Sequence, residues 1–293
     1  MNIVPTVLGV VAPVGLLALI GFVWVRLGFE YRLEFVTRLS MTLAVPCLIF
    51  TALMKTAIEP AALAALTLAS VAAYGVLGAA FWGLCAALGL DRRTWLAPLV
   101  FGNTGNLGLP LALFAFGEAG FGYAVVVFAV MAVLSFTLGL WLVAGGGSPL
   151  RALREPMVGA TLLGALFLWQ GWRTPDWLTN TLDLVGQMAI PLMLITLGVA
   201  VARLPVRGLG RAVWISAARV VVCVAVAWGV GTAFGLPPMA LAVLILQLST
   251  PVAVTSYMLA EKYGADAAQV AGLVIVSTAV SVATLPLTLA FLI

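Results

Sequence analysis

Phe101-Gly-Asn-Thr-Gly-Asn-Leu-Gly-Leu-Pro110 and Leu246-Gln-Leu-Ser-Thr-Pro-Val-Ala-Val-Thr-Ser-Tyr257 decide how this chain reads. Each places glycine or proline, with hydroxyl and amide side chains, in the middle of a long apolar run. An unwound backbone inside a bilayer leaves N–H and C=O groups that cost several kcal/mol each unless protein or a hydrated cavity meets them. Paired interruptions at matching places in two halves of a chain point to the binding site of a secondary transporter. Gly102, Gly105, Gly108 and Pro110 are the expected helix-breaking residues of the first stretch, and Pro251 that of the second. The side chains this leaves free to bind something are Asn103, Thr104 and Asn106, facing Gln247, Ser249, Thr250, Pro251, Val252 and Thr255. If both helices unwind at one depth and cross, two half-helix N-termini meet, and their positive ends suit a carboxylate.

Composition sets the rest of the frame. The chain is 64% hydrophobic and 8% charged with a mean hydropathy of +1.21, outside the range of a soluble domain. At about 20 apolar residues per crossing, ten spans are expected at 3–25, 31–54, 61–88, 94–117, 119–143, 156–172, 177–202, 207–234, 237–260 and 266–292. The first of them lacks a basic leader and is too long for a cleavable signal peptide, so it is expected to stay. The basic residues fall almost entirely in odd-numbered connectors: Arg26, Arg32, Arg38; Arg92, Arg93; Arg151, Arg154; Arg203, Arg207, Arg211; and Lys262. Only Lys55 and Arg173 lie in even ones, which predicts cytoplasmic odd connectors and both termini on the opposite, periplasmic side.

The halves match at an offset of about 145 residues. Leu43–Leu53 parallels Met188–Gly198, aligning Pro46 with Pro191; Trp24 falls on Trp169; Ala115–Ala124 parallels Leu259–Ala268, aligning Gly120 with Gly264. Five spans is an odd number, so the second repeat enters the membrane upside down. The expected organisation is residues 1–143 as the first five-helix repeat, 144–155 as a cytoplasmic linker around Gly145–Gly147, and 156–293 as the second repeat.

Arg219 is the one formal charge well inside a span, and an intramembrane ionisable residue is a substrate-site candidate by default. The competing reading is a packing or snorkelling arginine. Asp183 and Glu118 sit at span ends, where water reaches them, and the single cysteines Cys47, Cys85 and Cys223 have no metal or pairing pattern. No histidine is present, no mid-span carboxylate offers a proton relay, and no Gly-Lys-Ser/Thr phosphate loop or catalytic triad occurs. An enzyme, a nucleic-acid partner, a metal centre and a resident cofactor are therefore not expected. Sodium coupling stays open, because free carbonyls and hydroxyls can coordinate that ion.

At these motifs the chain resembles the auxin efflux carrier family, which includes bacterial organic-acid transporters and plant PIN-type exporters and lies in the same superfamily as bile acid:sodium symporters. Asn103-Thr104 followed by Gly108-Leu109-Pro110, Thr250-Pro251-Val252-Ala253-Val254 leading to Leu259–Gly264, and the Pro46, Pro191 and Thr284–Leu289 segments carry the resemblance. It implies an all-α membrane fold of ten helices in a 5+5 inverted repeat with broken, crossing helices 4 and 9. It further implies a scaffold from helices 1, 2, 6 and 7 that pairs into a homodimer, and a transport domain from helices 3–5 and 8–10 moving elevator-fashion. Asn103 takes the substrate-contact role and Pro251 the crossover-proline role. Gly102 departs from the proline of plant members, Thr255 from the asparagine of many bacterial ones, and the long plant loop between spans five and six is missing. The function implied is secondary active transport of a small organic anion, a mono- or dicarboxylate, across a bacterial inner membrane. The alternative is a sodium-coupled symporter of the bile-acid carrier type; a passive channel and a receptor are weaker readings.

Overall fold

A computed structural model of the chain describes residues 3–56, 58–145, 156–204 and 209–292. The described residues form helices α1 (Ile3–Arg26), α2 (Leu33–Lys55), α3 (Pro60–Ala87), α4 (Arg92–Val100), α5 (Thr104–Ala144), α6 (Pro156–Gln170), α7 (Asp176–Arg203), α8 (Leu209–Ala233), α9 (Pro238–Ser249), α10 (Val254–Tyr263) and α11 (Ala267–Leu292). Seven of these runs are long and apolar enough to cross a membrane. The linker expected at 144–155 lies almost wholly outside the described residues, as do Arg151, Arg154 and Arg207.

Apolar side chains face outward as well as inward, and a few polar ones gather inside. Leu287, Val282 and Val221 are about 70% exposed, while Asn103, Thr104, Gln247, Ser249, Thr250 and Arg219 are buried. Lipid tails are as apolar as leucine, so helices gain little by hiding apolar side chains and associate through close backbone packing and polar contacts instead. The seam between α1 and α7 shows this. A Cβ on Gly21 would lie 2.0 Å from the Ile195 carbonyl oxygen, and one on Gly198 1.7 Å from that of Ala18. Along α2, Gly164 of α6 and Gly186 of α7 perform the same service against Leu53 and Leu48. On the other side of the molecule α8 packs against α3, α9 and α11, and α5 against α9 and α3.

Irregularities follow local chemistry. Gly117 takes φ +65°, ψ −162°, a conformation open to glycine, and kinks α5 within its 41 residues. Contacts between connectors sort into two groups. Arg93 donates to the carbonyls of Val143 and Tyr263, the Asp266 amide donates to the Thr94 hydroxyl, and Arg203 donates to the Tyr31 carbonyl. At the other group, Lys55 pairs with Asp183, and Gly122 closes on Thr56. In sequence the first set lies at or beside the odd-numbered connectors expected above, and Lys55 and Thr56 of the second lie in an even-numbered one.

Asp91 starts α4 by accepting from the amides of Arg93 and Thr94 and the Thr94 hydroxyl. The Thr94 hydroxyl, ahead of the two amides and against the opposing effect of burial, holds the Asp91 carboxyl below its ordinary pKa. A depressed folded value means the cap is complete above the ordinary carboxylate range and is lost only as pH falls through the lower one. Asp91→Ala is expected to cost about 1 kcal/mol, read as a lower melting temperature of the detergent-solubilised protein at neutral pH; an unchanged melt would mean the cap adds nothing.

Candidate functional site

The two interruptions read from the sequence lie against each other. The helix of α4 ends at Val100, and α5 begins at Thr104. The helix of α9 ends at Ser249, and α10 begins at Val254. Thr250 stands before a proline, whose ring disfavours helical geometry in its predecessor, and takes φ −57°, ψ 148°. Gly102 and Val252 form an antiparallel bridge, and the Asn103 amide donates to the Pro251 carbonyl at 2.7 Å. The Val252 amide donates to Ser277 Oγ at 3.1 Å, from the middle of α11.

Absence of a side chain at residue 102 permits this approach. A Cβ there would meet Thr250 Oγ1 at 2.5 Å, the Thr250 carbonyl oxygen at 3.0 Å and Arg219 Nη2 at 3.0 Å. Gly105 and Gly108 lie one turn further on, inside a π-helical turn at Thr104–Gly108, with Pro110 in the next turn of helix. Their role is proximity: a Cβ on Gly108 would overlap Gln247 Oε1 at 2.1 Å, and one on Gly105 would meet the Phe128 ring at 2.9 Å. The backbone opens at Phe101–Asn103 and Thr250–Ala253.

Arg219, on α8, is 1% exposed and the one buried formal charge among the described residues. Its Nε donates to the Leu99 carbonyl at 2.9 Å and its Nη1 to the Thr250 carbonyl at 2.6 Å. The Leu99 oxygen belongs to the last turn of α4, whose final carbonyls have no partner within the helix, and the Thr250 oxygen to the opened residue that caps the C-terminus of α9. One guanidinium thus joins the ends of α4 and α9.

Beyond the breaks the chain winds into α5 and α10. Asn106 from the first turn of α5 and Val254 and Thr255 from that of α10 line one cleft, closed on its far side by Met193 and Thr196 of α7 and Ser40 of α2. The cleft holds about 20 Å3, room for a water or two. A second, wide vestibule of about 1090 Å3 opens between α2 and α7 on one side and α5 on the other, from the end that carries Lys55, Glu59, Glu118 and Asp183. Asp183 and Glu118 stand in its wall, Asp183 paired with Lys55.

Five buried polar atoms cluster around the breaks without a hydrogen-bond partner among the described residues: Asn103 Nδ2, Thr104 Oγ1, Arg219 Nη2 and both amide atoms of Gln247. An unmet buried polar atom costs about 1–3 kcal/mol, so their concentration sets the breaks apart from the apolar interior around them.

The sequence profile of the family described as "Membrane transport protein" matches residues 6–150 and 144–289. The chain belongs to this family. It is the auxin efflux carrier family that the motifs resemble, and the protein is a multi-pass membrane transporter rather than an enzyme. An "Uncharacterized transporter" of Methanothermobacter thermautotrophicus is 28% identical over 284 residues, 92% of this chain and 93% of that protein. A "Putative malonate transporter" of Rhizobium meliloti is 26% identical over 266 residues, 83% of this chain and 81% of that protein.

Within this transporter the singled-out residues occupy three places. Gly102, Asn103, Thr250, Pro251, Val252 and Arg219 form the paired breaks; Asn106 and Thr255 line the cleft; Gln247 packs on Gly108. Ser249 and Thr250 turn their hydroxyls back to the carbonyls of Leu246 and Gln247, at 2.9 and 2.7 Å. Thr104 is buried just past the first break. Sequence reasoning missed Ser277 and the α7 and α2 residues of the cleft. The signal for Ser277 was the row of small hydroxyls, Ser277, Thr278 and Ser281, in an otherwise apolar helix; nothing local marked Thr196 or Ser40.

Proposed function

We propose that this protein is a secondary carrier of a small organic anion, a mono- or dicarboxylate, which binds where the first turns of α5 and α10 converge. The observation that carries this reading is the cleft shared by Asn106, Val254 and Thr255 beside the bridge that ties the breaks. A helix N-terminus presents unbonded amides and about half a positive charge. Two of them directed at one cleft make a binding place for one carboxylate without any lysine or arginine in direct contact.

The wider architecture supports alternating access. A 41-residue run kinked at Gly117 measures about 60 Å, twice the hydrocarbon thickness, so it fits two crossings. With α4 continuing into α5 and α9 into α10, the count becomes ten, in agreement with the sorting of the connectors. The tight seams join α1, α2, α6 and α7 as one group, which fits a scaffold; α3, α4, α5 and α8–α11 form the other, which carries both breaks. The cleft and the vestibule both lie between the groups. An elevator-like shift of one group along the other would close the vestibule and widen the cleft. The arginine-rich end is read as cytoplasmic, with both termini periplasmic and the scaffold as a dimer surface.

The relative named for malonate makes that dicarboxylate the first substrate to test. Purified protein in liposomes loaded with unlabelled malonate is expected to take up labelled malonate faster than empty controls and to saturate. Uptake linear in concentration would favour a channel. No uptake by folded protein would remove malonate and send the search to monocarboxylates.

A further inference from the structure

We propose that the Arg219 guanidinium is a resident cation at the helix breaks, occupying the carbonyl ends where a co-transported metal ion would bind, so that transport proceeds without sodium. The inference rests on the carrier reading above and decides its coupling.

In carriers with discontinuous helices, unwound carbonyls and half-helix C-termini are the groups that coordinate a sodium ion. Here the two C-termini at the breaks, those of α4 and α9, meet one guanidinium through the carbonyls of Leu99 and Thr250. Each C-terminus carries about half a negative charge, and together they balance about one positive charge. An arginine stays protonated under any working condition, and this one is 1% exposed with no carboxylate in pairing distance among the described residues. Its counter-charge is therefore the helix ends themselves. The amide-bearing starts of α5 and α10, on the other side of the bridge, remain free to meet the anion. Both a chloride-sized and a carboxylate ligand are kept from Arg219 itself, since Gly102, Thr250 and Leu99 enclose its head group.

The test compares malonate exchange in sodium buffer and in N-methylglucamine buffer. The wild-type protein is expected to exchange at the same rate in both and to ignore an imposed sodium gradient. Arg219→Ala is expected to lose about tenfold or more and to regain much of it with millimolar methylguanidinium, which refills the space the side chain left. Arg219→Lys, which keeps the charge, is expected to exchange more slowly but still without sodium. A second readout needs no substrate: methylguanidinium is expected to raise the melting temperature of purified Arg219→Ala and leave that of the wild type unchanged. Sodium-driven uptake by the wild type, or sodium-dependent exchange by Arg219→Lys, would overturn the proposal. So would an Arg219→Ala protein whose melting does not respond to methylguanidinium. If malonate is not carried at all, the substrate reading fails while the melting comparison still decides the role of Arg219.

Discussion

Gly198→Leu is expected to leave almost no folded protein. The Cβ alone would sit 1.7 Å from the Ala18 carbonyl oxygen and 2.9 Å from the Phe22 amide nitrogen. Both are backbone atoms of α1, so no rotamer change relieves the overlap; the helix itself has to move. Overpacking in a core costs about 1–3 kcal/mol when side chains can give way, and here they cannot. The reciprocal contact of Gly21 on Ile195 opens with it, so a whole seam is lost. Membrane helices have little hydrophobic drive to reassociate once close packing is broken. Fluorescence-detected gel filtration of a tagged protein reads this as a missing or aggregated peak. Gly9→Leu on α1, where a Cβ meets nothing within 4 Å, is the control expected to behave as wild type. A normal peak for Gly198→Leu would mean that α1 and α7 separate at little cost.

Asn103→Ala is expected to act in the opposite way, sparing the fold and removing transport. The backbone amide of residue 103 holds the bridge by donating to Pro251, and alanine keeps that bond. The side-chain amide nitrogen has no hydrogen-bond partner among the described residues, so its removal takes no hydrogen bond from the fold and relieves an unmet donor. If that nitrogen is held for the anion, its loss forfeits a charge-assisted hydrogen bond, and exchange should fall by about 10- to 100-fold. The measurement is the malonate exchange rate beside the melting temperature of the same preparation. Full activity would take Asn103 out of the substrate site. A collapse of melting temperature together with activity would make it a folding residue instead.

Several features were legible before any coordinates because they are set by near neighbours. Twenty apolar residues in a row demand a bilayer whatever surrounds them. The ring of Pro251 disfavours helical geometry at Thr250, which is extended, and Gly117 takes a conformation that other residues avoid. The apolar runs and the polar set in the middle of two of them follow from such short-range rules, whereas Gly105, Gly108 and Pro110, expected as breakers, lie within helix. Glycine was harder to read. Gly102, Gly105 and Gly108 look alike in sequence, yet one sits in the opened backbone and two in the helical turn after it, because what separates them is the atom each faces: Thr250, Phe128 and Gln247.

Arg219 shows the limit most clearly. Its sequence position, eight residues past Arg211 in an apolar helix, suits a substrate ligand and a packing residue equally well. Its partners are separated from it by 120 and 31 residues, and Ser277 reaches Val252 across 25. Hydropathy, helix periodicity and proline sterics act over a few residues and are written in the chain itself, so the sequence alone determined that this is a helical membrane protein with polar, helix-breaking residues inside two of its apolar runs. Which groups meet at those breaks depends on how distant helices pack, and only the tertiary structure decided that the buried arginine meets the Leu99 and Thr250 carbonyls while the Asn103 and Val252 amides are taken by Pro251 and Ser277.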